Sequence, residues 1–308
     1  MKPFLSVIIC THNPRLDYLF RVLQALSHQS LPQDNWELLL IDNASEIPLS
    51  SAVDLSWHSQ SRYISEQKLG LTSARLKGIS EAASDTLVFI DDDNVLDETY
   101  LESALQVSKD WSILGAWGGQ IVAEFEAPPM EWTKSYWGKL AIREFDRDRW
   151  SNLPQIDCCP WGAGLCVRKA VAKQYSDLTL SDSRRLNLDR SGNQLFGCGD
   201  MDLAYTACDL GLGIGLFTAL KLTHLIPSSR IQESYLLRLT EGNSYSALIL
   251  NYLRGNSPKM NKSWRRRLFE YHCFLNMNSR ERRFFRVHNQ GESLAIKQIL
   301  NWMASSQV

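Results

Sequence analysis

Short, predominantly apolar runs alternate along this chain with stretches in which apolar residues recur every three or four positions. Phe4–Cys10, Trp36–Ile41 and Thr86–Ile90 are of the first kind: too short for helices, and too continuously apolar for strands with one wet face. They predict strands buried on both sides. Between them, Leu16, Leu19, Phe20, Leu23 and Leu26 form one helical face, with Pro14 placed for the helix's first turn. Leu71, Ala74, Ile79 and Ala82 form another over Gly70 to Ala83, and Asp97 stands where it can cap a helix carrying Leu101, Ala104 and Leu105. This alternation predicts an α/β fold, a largely parallel sheet flanked by helices. Further on, Leu165–Val167 reads as a short strand, 177–196 as a polar loop and Gly213–Leu220 as another strand. A helix through Leu203, Ala204, Ala207 and Leu210 should stop at Gly211, and beyond His224 the pattern is helical.

Each early strand runs into polar residues: Thr11-His12-Asn13, Asp42-Asn43-Ala44-Ser45 and Asp91-Asp92-Asp93-Asn94. Ligands of open α/β sheets sit beyond the carboxyl ends of the strands, so these clusters should converge on one edge. Three adjacent carboxylates need a cation or hydrogen-bond donors to offset their charge; the plainer alternative is a solvated turn. Oxygen ligands suit Mg²⁺ or Mn²⁺, which typically take one or two carboxylates and complete their shell from phosphates and water. The sequence contains neither a GxxxxGK[ST] loop nor a GxGxxG after the first strand, which argues against P-loop phosphoryl transfer and a dinucleotide cofactor. Phosphates would then be held by metal and scattered cations, with Arg75, Lys77 and Arg230 as candidates.

At 308 residues, with 44% hydrophobic and 22% charged positions, the chain suits a soluble globular protein. No apolar run approaches the ~20 residues of a membrane span. The N-terminus reads as a strand, not a signal peptide. Seven cysteines, an odd number without a CxxC pair, argue against disulfides or a zinc knuckle and for a reducing cytoplasm. Net charge is −1, but Arg254 to Arg286 carries ten Lys or Arg against two Glu. Such a run is most simply a solvated helical face; docking on anionic lipid is the second reading. Nucleic acid ranks last, since no recognition motif accompanies the charge.

Taken in order, Ser6–Asn13, Leu40–Ser45, Gly70–Arg75, Val88–Asn94, Trp161–Gly164, Gly199–Leu203 and His224–Pro227 resemble the motifs of family 2 glycosyltransferases, over about residues 4–240. The resemblance implies a GT-A-like, Rossmann-related mixed sheet with a helical C-terminal extension. It implies a nucleotide-sugar-binding half (1–125), an acceptor-binding half (126–228) and a basic extension (229–308). The implied activity is metal-dependent inverting transfer to a saccharide or lipid-linked acceptor in polysaccharide synthesis. UDP-sugar is favoured and GDP-sugar is the second choice, with Mn²⁺ or Mg²⁺ as cofactor, in the cytoplasm or at the inner face of the membrane.

By motif position, Thr11, His12, Asn13, Asp42, Arg75 and Asp92 would contact the nucleotide-sugar. Asp91, Asp93 and His224 would serve the metal, Asp93 foremost, and Trp161 with Gly162 the acceptor. Asp200 would be the base that takes the acceptor proton, and Asp202 its competitor. The plainer alternative for these two acids is a helix first turn favoured by the dipole. Two departures stand out: Gly199 replaces the Glu usual before Asp200, and Lys77 lies where small or amide residues are frequent. A nucleotidyltransferase making nucleotide-sugars is one alternative, though Thr11–Arg15 lacks its Gly-rich loop. A non-catalytic nucleotide- or glycan-binding scaffold is another.

Overall fold

The computed structural model describes residues 2–190, 195–257 and 264–305. The first half runs β1 (Leu5–Thr11), α1 (Leu16–Ser27), β2 (Trp36–Asp42), β3 (Ser61–Ser65), α2 (Leu71–Glu81), β4 (Thr86–Ile90), β5 (Asn94–Leu96) and α3 (Tyr100–Asp110). The rest comprises β6 (Leu114–Phe125), β7 (Arg149–Ser151), β8 (Leu165–Arg168), α4 (Lys169–Ser181), α5 (Gly199–Asp209), β9 (Gly213–Ile226), α6 (Glu233–Leu253), α7 (Trp264–Asn276) and α8 (Ser279–Ser305). All strands join one mixed sheet in the order β3-β2-β1-β4-β8-β6-β9-β5, with β7 paired to β9. β3, β2, β1 and β4 are parallel; β8 runs antiparallel between β4 and β6. Strands from the second half thus extend the sheet begun by the first.

Alternation within the strands explains their continuous apolarity. Leu5, Val7 and Ile9 of β1 enter a core shared with α1 and α3, while Ile8 and Cys10 enter a second with α2, α4 and α5. Both faces are covered, so the strands are mostly apolar, and the buried polar pair Ser6 and Glu37 is hydrogen-bonded across β1 and β2 at 2.6 Å. A third cluster of Leu140, Ile226, Leu236, Leu239 and Phe284 seats α6 and α8 against the end of β9. β6 and β9 shift register between Gly118 and Gln120, where a Cβ on Gly119 would lie 1.8 Å from the Leu220 carbonyl oxygen. Only glycine permits that approach.

Four local expectations need correction. Pro14 precedes the N-cap Arg15 and so lies outside the first turn of α1. Asp97 does not cap α3: Thr99 is the N-cap, and Asp97 instead ends β5, its N–H donating to Lys221 O at 3.0 Å. The 177–196 stretch is helical to Ser181, because Val171, Ala172, Tyr175 and Thr179 bury one face of α4; a 3₁₀ turn follows over Ser183–Leu188, and 191–194 lie outside the described residues. The strand from Gly213 continues to Ile226, since pairing with β5 and β6 extends that far.

Candidate active site

The carboxyl ends of β1, β2 and β4 meet at one cavity of about 580 Å³. Thr11, His12, Arg75, Asp91, Asp92, Asp93, Trp161, Gly162, Asp200 and His224 line it; Asn13, Asp42, Lys77 and Asp202 are not among its lining residues. Local bonding explains each of these four. Asn13 sits in the left-handed region at φ 47° and its Oδ1 accepts the Glu46 N–H at 2.9 Å. The Asp42 carboxylate accepts from the N–H groups of Ser45 (3.1 Å) and Leu49 (3.0 Å), closing the turn after β2. Lys77 pairs with Glu81 one turn along α2. Asp202, with no exposure, is bound by Arg185 and by Arg254 at 2.8 Å. As a competitor for the base it is set aside, because it faces away from the cavity and its charge is already matched.

At the β4 end the charges are unevenly met. Asp93 Oδ2 accepts from Arg230 Nη1 at 2.8 Å and lies 3.3 Å from His224 Nε2. The β5–β9 ladder sets Asn94 opposite His224, which brings that histidine to the triplet. Burial would raise the Asp93 carboxyl, but His224 and Arg230 outweigh it and hold the group below the usual carboxylate range. Burial first, and then the charge of Asp93, raises Asp91, and it pushes Asp92 up to about 7 although Thr11 Oγ1 donates to Asp92.

The donor set here suits a hard divalent ion that keeps open positions. Asp93 and His224 offer one carboxylate and one imidazole at a spacing that two ligands of one ion can share. His224 Nδ1 is buried and has no hydrogen-bond partner among the described residues. Among the described residues no group of three His, Cys, Asp or Glu is gathered for a metal.

The first turn of α5 reaches the same cavity through Asp200 and Met201. Asp200 Oδ2 accepts the Gly162 N–H at 2.7 Å and Oδ1 accepts the Met201 N–H at 2.8 Å. Burial raises its pKa above the ordinary 3.8, with Arg75 opposing. Arg75 is itself 4% exposed and donates to Asp189 at 2.8 Å, so it reaches the cavity as half of an ion pair. The Arg143 guanidinium carbon lies 3.4 Å from the centre of the Trp161 ring, so one ring face is already covered.

The sequence reading missed several lining residues: Asp189, Arg190 and, from α6, Tyr235, Leu239 and Asn243. It quoted Asn43 within a motif but gave it no role. Asn43 Oδ1 accepts the Gly70 N–H at 2.8 Å while its amide donates to the Glu66 and Lys68 carbonyls, tying the end of β2 to the loop before α2. Its position just after a buried strand was the one available signal.

All seven cysteines are free. Within the basic tail, Arg254 pairs with Asp202 and Asp209, Arg280 and Arg283 with Glu233, and Arg282 donates to the Phe274 and Leu275 carbonyls. Lys259 and Lys262 lie outside the described residues, as do the side chains of Arg266 and Arg267. Among the described residues no helix is long and apolar enough to cross a membrane.

Sheet order and cleft together define a GT-A architecture, a mixed sheet with an acidic strand end facing a helix-borne carboxylate. The chain belongs to Glycosyl transferase family 2, whose profile matches residues 6–173. Over 114 residues it is 31% identical to the inactive polypeptide N-acetylgalactosaminyltransferase-like protein 5 of Macaca fascicularis, covering 35% of this chain and 26% of that protein. Over 115 residues it is 29% identical to polypeptide N-acetylgalactosaminyltransferase 11 of Xenopus tropicalis, covering 35% of this chain and 19% of that protein. It thus spans about a quarter or less of the length of these curated relatives. Among solved structures, S. aureus TarS 1-349 in complex with UDP-GlcNAc is similar at a TM-score of 0.53 and 14% identity, covering 80% of this chain and 67% of that one. GalNAc-T7 with UDP, GalNAc and Mn²⁺ is similar at 0.50 and 14%, covering 83% and 52%. At this identity the structures speak for the fold alone.

Proposed function

We propose that this protein transfers a sugar from a UDP-sugar to a saccharide or lipid-linked acceptor, with inversion at the anomeric carbon, in the synthesis of a polysaccharide or surface glycan. One observation carries the reading: Asp200 and the Asp91–Asp93 strand end open on the same cavity, so that a base for an attacking acceptor hydroxyl and an acidic site beside a leaving diphosphate share one space. TarS with UDP-GlcNAc and GalNAc-T7 with UDP and Mn²⁺ support UDP as the nucleotide, and GDP remains the second choice.

Thr11, His12 and Asp92 face the base and ribose. Asp93 and His224 would hold Mn²⁺ or Mg²⁺, which when bound offsets the charge growing on the departing diphosphate. Arg230, bonded to Asp93 at 2.8 Å, adds a fixed positive charge on that side. Asp200 is anchored by two backbone N–H groups, so its carboxylate is held in one orientation. It takes the proton of the acceptor hydroxyl as the oxygen attacks. Trp161 and Gly162 border the acceptor.

The protein works in a reducing cytoplasm, with lipid contact confined to α7. There Trp264, Leu268, Tyr271 and Leu275, all more than half exposed, fall on one helical face beside the exposed Arg265. Replacing Trp264 and Leu268 by Ser should abolish co-sedimentation with phosphatidylglycerol vesicles; unchanged sedimentation refutes that contact.

The experiment that tests the main reading is thermal shift with UDP, GDP, CDP and TDP, each with and without Mn²⁺, followed by hydrolysis of the preferred donor. A ligand that binds only the native state raises Tm by mass action. Mn²⁺-dependent stabilisation by UDP with slow hydrolysis of a UDP-sugar is expected. Pyrophosphate release from UTP and a sugar phosphate would favour a nucleotidyltransferase, and binding without turnover a scaffold.

A further inference from the structure

The segment before α5 joins two helix starts. The Leu188 carbonyl accepts the Cys198 N–H at 3.0 Å and the Arg190 carbonyl accepts the Leu71 N–H at 3.1 Å, so residues 188–190 bridge the first turns of α5 and α2. Between these two bonds Asp189 turns inward and is 4% exposed. Its Oδ2 accepts from Thr72 Oγ1 (3.0 Å) and Arg75 Nη1 (2.8 Å), and its Oδ1 accepts the Gly199 N–H at 3.2 Å. A carboxylate against the first N–H of α5 is favoured by the helix dipole as well.

Gly199 makes room for it. A Cβ at that position would lie 2.1 Å from Asp189 Oδ2 and 2.5 Å from its Cγ, so no side chain fits at 199 while Asp189 is in place. On the far side of Arg75, a Cβ on Gly162 would lie 2.6 Å from Arg75 Nη2 and 3.3 Å from Asp200 Oδ2. The guanidinium is therefore wedged between Asp189 and the neighbourhood of Asp200.

We infer that Asp189 and Gly199 are a matched pair, in which Asp189 supplies from the preceding segment the acid that no side chain at 199 can supply, and acts as the positioning residue that holds Arg75 beside Asp200. This rests on reading Asp200 as the base. Arg75 faces Asp189, Asp200 and Asp91, and Arg143 also faces Asp200, so the Asp189 charge offsets part of what Arg75 exerts on Asp200. Without that charge, Arg75 acts more strongly on Asp200, which becomes a weaker base.

The test has two arms. In the first, Mn²⁺-dependent hydrolysis of UDP-N-acetylglucosamine, with water in place of the acceptor, is followed against pH. Asp189→Asn should move the acid limb to lower pH and cut the plateau rate about tenfold, and a merely structural role would lower the yield of folded protein without moving the limb. An unmoved limb overturns the positioning role. In the second arm, stability alone is read. Gly199→Ala should lower Tm sharply in the parental protein but cost little in an Asp189→Ser background, and equal losses in both backgrounds overturn the pairing. Adding Gly199→Glu to Asp189→Ser should return the limb toward its parental position. Should Asp200→Asn leave hydrolysis intact, the base assignment fails, and the stability arm still decides the pair.

Discussion

The two walls of the cleft each carry several carboxylates and balance them differently. At the end of β4, Arg230 and His224 both meet Asp93, while burial and the charge of Asp93 drive Asp91 and Asp92 upward against Arg75, Arg190 and His224 at Asp91 and Arg230 at Asp92. Around the start of α5, Asp189 has Arg75, Asp202 has Arg185 and Arg254, and Asp200 has two backbone N–H groups. Around α5, Asp189 and Asp202 are matched by arginines and Asp200 is raised by burial, whereas at β4 two adjacent acids are raised, an imbalance that a divalent cation would relieve. Uncompensated negative charge, more than the number of acids, distinguishes a binding wall from a structural one.

The largest effect should come from Asp200→Asn, which leaves both walls folded and removes the base. Turnover of the UDP-sugar should fall about 10³-fold, with UDP affinity by calorimetry near the parental value. The parental rate should rise with pH to a plateau, since the base acts only when deprotonated. Its midpoint should lie above 3.8, because burial raises this carboxyl. A limb at or below 3.8 would contradict the assignment.

Two residues along, Asp202→Asn should act oppositely, on stability. It takes from buried Arg185 its carboxylate partner and from Arg254 one of its two, a loss of about 3 kcal/mol measurable by urea unfolding, with UDP binding retained below the transition. If stability were unchanged and turnover lost, the roles of the two acids would be reversed.

On the β4 wall, Asp93→Ala should weaken Mn²⁺-dependent UDP binding about tenfold, or about 1.4 kcal/mol, and leave metal-independent binding alone. The smallest effect sharpens the contrast by improving the protein. Asp92→Asn should stabilise the metal-free form at pH 8 by about 1 kcal/mol, or about 2–4 °C in Tm. In the folded parent Asp92 holds its proton up to about 7, whereas the unfolded chain releases it near 3.8. Parental stability therefore falls as pH rises through that window and is flat above it. The advantage of the variant should vanish as pH approaches 3.8, and a gain that persists there would refute the charge explanation.

Much of the β4 wall could be read in the chain because its elements are local. A strand buried on both faces is mostly apolar, so the point where a run of polar residues begins, at Thr11, Asp42 and Asp91, also marks the sheet edge. The α5 wall was legible only in part. Asp200 and Asp202 look alike in sequence, yet two residues turn a helix by about 200°, which sends one toward the cavity and the other into the core. Asp189 had no pattern to betray it, since its arginine lies 114 positions away. The shielding of one Trp161 face by Arg143 and the contribution of α6 to the cleft likewise depend on contacts distant in the chain.

What the amino-acid order determined unaided is the alternation of buried strands and amphipathic helices, and with it the edge where acidic loops gather, because hydrophobic burial imposes its period on neighbouring residues. Which carboxylate stays open to solvent and which is locked by an arginine was decided only on folding. Charge is offset by whatever lies within a few ångströms, and that distance is set by packing.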